Sequence, residues 1–374
     1  MIGKYMEQTS WYKAFIPHPF PPVGIFDVSV KTYQKLSEAE RFLWKLDWLS
    51  SRLPDSDFFL SMYILKDATY SSQIEWTKAT MMDAIELSAW INEKNTDADD
   101  IIHYIEALNY SIKRLSEFPF SLRFIREIHE KLMVDARSSH FADPWQFRKS
   151  QNWIGGTTPT NALFVPPPLE SLHKALDDIE KFIHSHDYIP LLQVALLHAQ
   201  FETVHPFLDG NGRTGRILIT LFLYSRWMLE KPVLFLSSYF KKYQQVYYDR
   251  LNGYHNGQVE EWIDFFLDGV IEIAKQSIQT SRDIDTLRQE DMQKLQWLWK
   301  REAGSGIILL NYLYWAPIVT VGTVMKALWF SRVGAQKTVE RFIDLGILTP
   351  YDSGEKYGKR YIYKKYIELF HTER

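Results

Sequence analysis

The chain has 374 residues, 24% of them charged and 46% hydrophobic, with a net charge of −3 and no cysteine. That balance excludes a disordered chain, and the missing thiols exclude disulfides, thiol catalysis and cysteine-ligated zinc. The longest apolar stretch, Ile217 to Tyr224, falls far short of the ~20 residues that cross a bilayer, so no membrane association is predicted.

In chain order, the first segment, MIGKYMEQTSWYKAF, lacks a continuous apolar run, so no export signal is predicted and a cytoplasmic location is expected. Residues 1–120 read as a helical N-terminal region. Within it, Ser72 and Glu75 fit the S-x-x-E spacing of a capping box, so a plain helix start is the simpler of two readings of this stretch. Residues 121–280 read as a helical core with one irregular stretch, NWIGGTTPTNALFVPPP, from Asn152 to Pro168. Its glycines and triple proline predict a loop or hairpin. His184, His186 and Asp187 could in principle hold a metal, but a polar loop between helices explains them more simply.

In Pro190–Val204, Leu192, Ala195, Leu196 and Ala199 fall at i, i+3, i+4 and i+7, with apolar residues on the other faces too. The segment after Arg213 is similarly apolar, so two buried helices flank one polar, glycine-containing loop. Residues 281–304 read as a charged connecting helix ending near Gly304, followed by a domain boundary. In residues 305–374, Val321, Val324, Met325 and Leu328 mark one helix face, and Val339, Phe342 and Ile343 mark a second, with a turn near Ser331. A hairpin-like segment follows, and the whole resembles a winged helix. This segment carries ten Lys and Arg against six Asp and Glu, +4, which leaves −7 for the remainder. Arg332, Lys337, Arg341, Lys356, Lys359 and Arg360 are candidate DNA-phosphate contacts. Glu340 and Asp344 share the second helix, so a dimer or partner-docking surface stands as the alternative.

The chemistry concentrates in His205-Pro206-Phe207-Leu208-Asp209-Gly210-Asn211-Gly212-Arg213-Thr214-Gly215-Arg216. Gly210 and Gly212 permit a tight turn that points N–H groups inward, and the helix starting near Arg213 adds its positive N-terminal dipole, so an anion fits there. Arg213 and Arg216, three apart, suit a polyphosphate. Asp209 offers a hard oxygen to magnesium, which needs one or two carboxylates beside substrate phosphates. His205, at the end of the preceding helix, can accept the proton of an incoming hydroxyl. Together these residues predict phosphoryl or nucleotidyl transfer.

The order H-P-F-L-D-G-N-G-R-T-G-R resembles the Fic family pattern, H-x-F-x-D/E-G-N-G-R-x-x-R, at every fixed position. The resemblance implies a mainly α fold: a Fic-type helical core with a small flap hairpin over residues 152–168, plus a C-terminal winged-helix domain. It implies transfer of AMP from ATP to a Ser, Thr or Tyr hydroxyl of a target protein, with loss of pyrophosphate. His205 is then the general base, Phe207 packs beneath the loop, and Asp209 holds Mg2+ between the α- and β-phosphates. Asn211 and the amides of Gly210, Gly212 and Gly215 would bind phosphate oxygens, with Asn211 also stabilising charge at the α-phosphorus. Arg213 and Arg216 would orient the distal phosphates.

Ser237–Leu251 resembles a segment that lines the nucleotide pocket, which makes Tyr243 or Tyr247 candidate adenine neighbours, with core packing as the alternative. Ser71-x-x-x-Glu75 resembles the family's inhibitory motif, whose glutamate pairs with the second arginine, here Arg216. Trp76 departs from the Gly or Asn that closes that motif. Related cores transfer UMP, phosphocholine or phosphate, or remove AMP. The intact G-N-G-R favours an AMP donor. A nucleotide-sensing DNA-binding regulator is the competing class.

Overall fold

The computed structural model describes residues 2–9, 11–51, 56–88, 96–133, 143–296, 300–351 and 359–371. A hairpin of β1 (Gly3–Glu7) and β2 (Lys13–Pro17) opens the chain, with Gly3 opposite Pro17 and Glu7 opposite Lys13. The helical N-terminal region expected over residues 1–120 thus starts with a hairpin that the sequence did not disclose. The outward residues of β1 are mostly polar or exposed, and with only Phe15 and Ala14 deeply buried in β2 the apolar alternation is too weak to read.

Helices α1 (Val30–Ser50), α2 (Ser56–Ile74), α3 (Met81–Ser88) and α4 (Thr96–Leu115) follow, and then α5 (Leu122–Met133). Ser29 caps α1 by accepting from the Thr32 N–H. The core continues with α6 (Leu169–His184), α7 (Pro190–Val204), α8 (Asn211–Ser225), α9 (Ser237–Lys242), α10 (Gln244–His255) and α11 (Val259–Gln296). Pro190 sits in the first turn of α7, where its missing N–H costs nothing. Every residue of α7 from Leu191 to Val204 is buried, as its unbroken apolar pattern predicts.

The spine is α11, 38 residues long, against which α1 packs lengthwise. It begins 22 residues before the connecting helix expected at 281, because burial of Trp262, Phe266, Val270 and Ala274 continues without a break into Ile278, Ile284 and Leu295. Gly304 does not end a helix; it lies inside α12 (Lys300–Trp315). At Gly306 of the same helix an added Cβ would come within 2.9 Å of Leu295, so the glycine lets α12 approach α11 closely.

The C-terminal unit runs α12, β3 (Ile318–Thr320), α13 (Val321–Leu328), α14 (Arg332–Asp344), β4 (Thr349–Tyr351), β5 (Arg360–Ile362) and α15 (Lys364–His371). Its antiparallel sheet has the order β3-β5-β4, with Ile362 opposite both Ile318 and Thr349. Thr320 and Thr323 close a reciprocal cap on α13, and Ser331 caps α14. Lys356, at the expected wing tip, lies outside the described residues. The unit rests on the rest of the chain: Tyr363 bonds Asp291 of α11, Phe370 packs edge-on against Tyr63 of α2, and the Tyr351 hydroxyl meets Glu86 of α3. No helix among the described residues is long and apolar enough to cross a membrane.

Candidate active site

The loop between α7 and α8 is shaped from its own sequence. His205 ends α7 in the left-handed conformation, φ 47, and Pro206 cannot extend the helix. The redirected His205 carbonyl accepts from Arg148 Nε at 3.1 Å and Asn152 Nδ2 at 3.0 Å. Phe207 drops into the core, where the His129 ring stacks on it at 3.7 Å with planes 1° apart. His129 Nε2 lies 3.0 Å from the Asp209 carbonyl. Gly210 adopts φ 74, and a Cβ there would press on Met133 Sδ at 2.6 Å.

His205 Nδ1 lies 3.3 Å from the Glu202 carbonyl oxygen. Donation to that carbonyl puts the proton on Nδ1 and leaves the Nε2 lone pair for an incoming hydroxyl. Burial is the main cause of a pKa lowered to about 4, so the imidazole is neutral at pH 7, the form a general base requires.

The two motif arginines are buried and held by carboxylates from the N-terminal region. Arg216 donates from Nε to Ser71 Oγ at 2.8 Å, and from its NH2 to the Ser71 carbonyl at 3.0 Å and Glu75 Oε1 at 2.8 Å. Arg213 stands 3.6 Å from Asp100 Oδ1 on α4 and 3.9 Å from Asp209 Oδ2, and its buried Nε has no hydrogen-bond partner among the described residues. Glu75 also covers the α8 N-terminus: a Cβ on Gly212 would overlap Glu75 Oε1. A carboxylate therefore already sits where the free N–H groups and the helix dipole favour an anion.

Family models match the chain twice: the Fic/DOC family over residues 119–223, and the Fic/DOC family N-terminal model over residues 33–113. The chain carries a Fic/DOC domain preceded by the N-terminal region of that family. The Fic/DOC model contains the whole 205–216 loop and the N-terminal model contains Ser71 and Glu75, which the fold brings together. A protein adenylyltransferase Fic from Aedes aegypti is 27% identical over 193 residues, 49% of this chain and 35% of that protein. The chain thus spans about a third of the length of such relatives. Among solved structures, a Fic family protein from Desulfovibrio desulfuricans superposes with TM-score 0.58 at 16% identity, covering 90% of this chain and 96% of that one. Fic-1 from C. elegans superposes with TM-score 0.52 at 19% identity, covering 69% and 73%. The mainly helical Fic fold expected from the motif is what these likenesses show.

Several residue roles differ from those the motif implied. Asn211 is 2% exposed, and its amide is spent on the loop: Oδ1 accepts the Phe207 N–H and Nδ2 donates to the Phe207 carbonyl, both at 2.8 Å. It holds the loop's shape instead of presenting a free amide to a ligand. Gly215 faces α7, where a Cβ would overlap Glu202 Oε1, so its smallness serves helix packing. Tyr247 is core, its hydroxyl 2.8 Å from His198 Nε2, and Tyr243 packs on the Tyr239 ring at 4.8 Å. Ser72 and Glu75 lie at the end of α2 and not at a helix start, so the capping box is not formed there. Trp76, 84% exposed, takes φ 71 just after that helix. A left-handed residue is needed there, which is the physical reason Gly or Asn suits the position.

The stretch at 152–168 is pinned by one antiparallel bridge, Ile154 to Phe164, with Gly155 and Gly156 at positive φ and Leu163 81% exposed. The Phe15 N–H of β2 donates to the Val165 carbonyl, so the N-terminal hairpin braces this stretch. His186 faces Arg226 and His184 lies 3.4 Å from Glu180. Among the described residues no group of three or more His, Cys, Asp or Glu converges as a metal cage. Sequence reasoning missed Asp100, His129, Arg148, Asn152 and Glu202. Glu202, the one carboxylate within the buried helix α7, was the visible anomaly.

Proposed function

We propose that this chain is a protein adenylyltransferase, transferring AMP from ATP to a Ser, Thr or Tyr hydroxyl of a target protein, and that Glu75 restrains it. One observation carries the reading: a neutral base, His205, stands one loop from a helix N-terminus whose Gly212 and Arg216 already hold a carboxylate. An anion site beside a base is the minimum for transfer from a polyphosphate to a hydroxyl. His205 Nε2 takes the hydroxyl proton as the oxygen bonds to the α-phosphorus, and pyrophosphate departs with the electron pair of the broken P–O bond. Arg216, once released by Glu75, and Arg213 hold the distal phosphates.

Asp209 suits Mg2+. Its carboxylate accepts the Gly210 N–H at Oδ1 and has Arg213 3.9 Å from Oδ2, and it is about half exposed, which fits a cation held mainly by substrate phosphate and water. Bound there, the metal would neutralise charge on the leaving group. Support for the donor comes from relatives named protein adenylyltransferase Fic.

The test is incubation with labelled ATP, magnesium and lysate, followed by mass spectrometry for an AMP mass gain on hydroxyl side chains. His205→Ala should abolish incorporation and keep ATP binding, because the base acts on the hydroxyl and not on the phosphates. Near-normal incorporation by that variant sinks the assignment. A second role, contact of the C-terminal unit with DNA, is favoured by Arg332 and Lys337 exposed on α14 but opposed by Glu340 and Asp344 beside them. A salt-dependent gel shift of the full chain decides between DNA and a dimer or partner surface.

A further inference from the structure

Glu202 lies in the last turn of α7, three residues before His205, so the two side chains share a face. Its Oε2 stands 3.8 Å from His205 Nδ1, and its Oε1 is buried with no hydrogen-bond partner among the described residues. Room for this carboxyl comes from α8, where Gly215 supplies the gap that any larger residue would fill. A buried carboxyl oxygen left unbonded is costly and calls for a function.

The groups around it come from four helices. On α7 itself are His198 and His205; from α8 comes Arg216; from the end of α2 comes Glu75; from α10 come Tyr247 and Tyr248. Arg148 faces His205 from the loop before residue 152. Burial raises the Glu202 pKa to about 8; Arg216 opposes that shift, and a smaller repulsion from Glu75 adds to it. With Glu75 seated, Glu202 therefore keeps its proton at neutral pH.

We propose that Glu202 is the positioning residue for His205: its carboxylate takes over the Nδ1–H bond from the weaker backbone acceptor and stabilises the imidazolium formed when Nε2 receives the target's proton. The proposal rests on the transferase reading for its kinetic consequence, but the geometry that motivates it does not. Glu202 releases its proton to solvent before turnover, so the proton taken from the hydroxyl stays on His205. Glu75 then acts twice. It occupies Arg216 and the α8 N-terminus, and its charge adds to the burial that keeps Glu202 neutral, which deprives His205 of an anionic partner.

The experiment compares Glu75→Gly with Glu75→Gly/Glu202→Gln, using ATP and magnesium. Gln fills the same space and accepts a hydrogen bond but never ionises. The double variant should melt no lower than the single one and bind ATP equally. Its kcat should fall roughly 10- to 100-fold, the range for losing one charge-assisted hydrogen bond. The single variant should show a rising pH–rate limb towards pH 8 that the double variant lacks. Independently of any turnover, the His205 ring resonances, assigned by loss in His205→Ala, should show an inflection near pH 8 that vanishes with Gln at 202. An unchanged kcat and pH profile, or an inflection that survives in Glu202→Gln, overturns the proposal. If Glu75→Gly incorporates no AMP at all, the transferase reading fails, and the resonance titration still decides the role of Glu202.

Discussion

Glu75→Gly is the perturbation whose size the structure sets most directly. Arg216 is 2% exposed and makes three donor contacts, two to Ser71 and one, at 2.8 Å, to Glu75 Oε1. A γ-phosphate that needs Arg216 and the α8 N-terminus must first displace that carboxylate. A hydrogen bond between charged groups contributes about 1.5–3 kcal/mol. Glu75 is 41% exposed, so water screens part of the attraction and the lower end applies, about 1–2 kcal/mol. That corresponds to roughly 5- to 30-fold. Self-modification and target modification should rise by about that factor when ATP is below saturation, and Glu75→Asp should give only part of it because its carboxylate reaches less far. Removing Glu75 also strips a buried arginine of its counter-ion, so the variant should melt lower than the parent and regain stability with ATP. The assay is label incorporation by parent and variant under identical ATP and magnesium. Equal incorporation refutes the inhibitory role and leaves Glu75 as a residue that ends α2.

Asp209→Ala should remove most activity together with its magnesium dependence, and equal activity of the parent with and without chelator rules out the metal. Leu163→Pro deletes the N–H that donates to the Ile154 carbonyl at 2.9 Å. It should weaken target modification more than ATP binding if the 152–168 stretch aligns a target strand, and unchanged target kinetics mark it as a surface loop. Burial lowers the pKa of His129 and His205 to about 4, and of His198 and His255 to about 3. All four fall below the unfolded value of about 6.5. A depressed histidine contributes stability that is complete above the unfolded pKa and is lost as pH falls towards the folded one. Each should add a slope of about 1.4 kcal/mol per pH unit within its window. Denaturant melts should therefore weaken steeply from pH 6.5 to pH 4, and a flat profile there counts against neutral, buried imidazoles.

What the sequence determined by itself was local. The twelve residues from His205 to Arg216 announced a turn, an anion-accepting helix start and a base, because glycine, proline and helix-terminal chemistry act over a few neighbours. The unbroken apolar pattern of 190–204 likewise announced a buried helix. Weak alternation hid the β1–β2 hairpin, and Gly304 suggested a helix end because glycine is a poor helix former, a preference that the packing of α12 overrides.

Tertiary structure decided everything that depends on partners far along the chain. Arg216 meets Glu75 across 141 residues, and Asn152 fixes the His205 carbonyl across 53. Asn211 and Gly215 read as ligand groups in a motif, yet one closes the loop on Phe207 and the other makes room for Glu202. The physical reason is that a motif specifies which groups are present. Which of them remain uncommitted is set by packing, since a buried polar group bonds to whatever the fold places within reach.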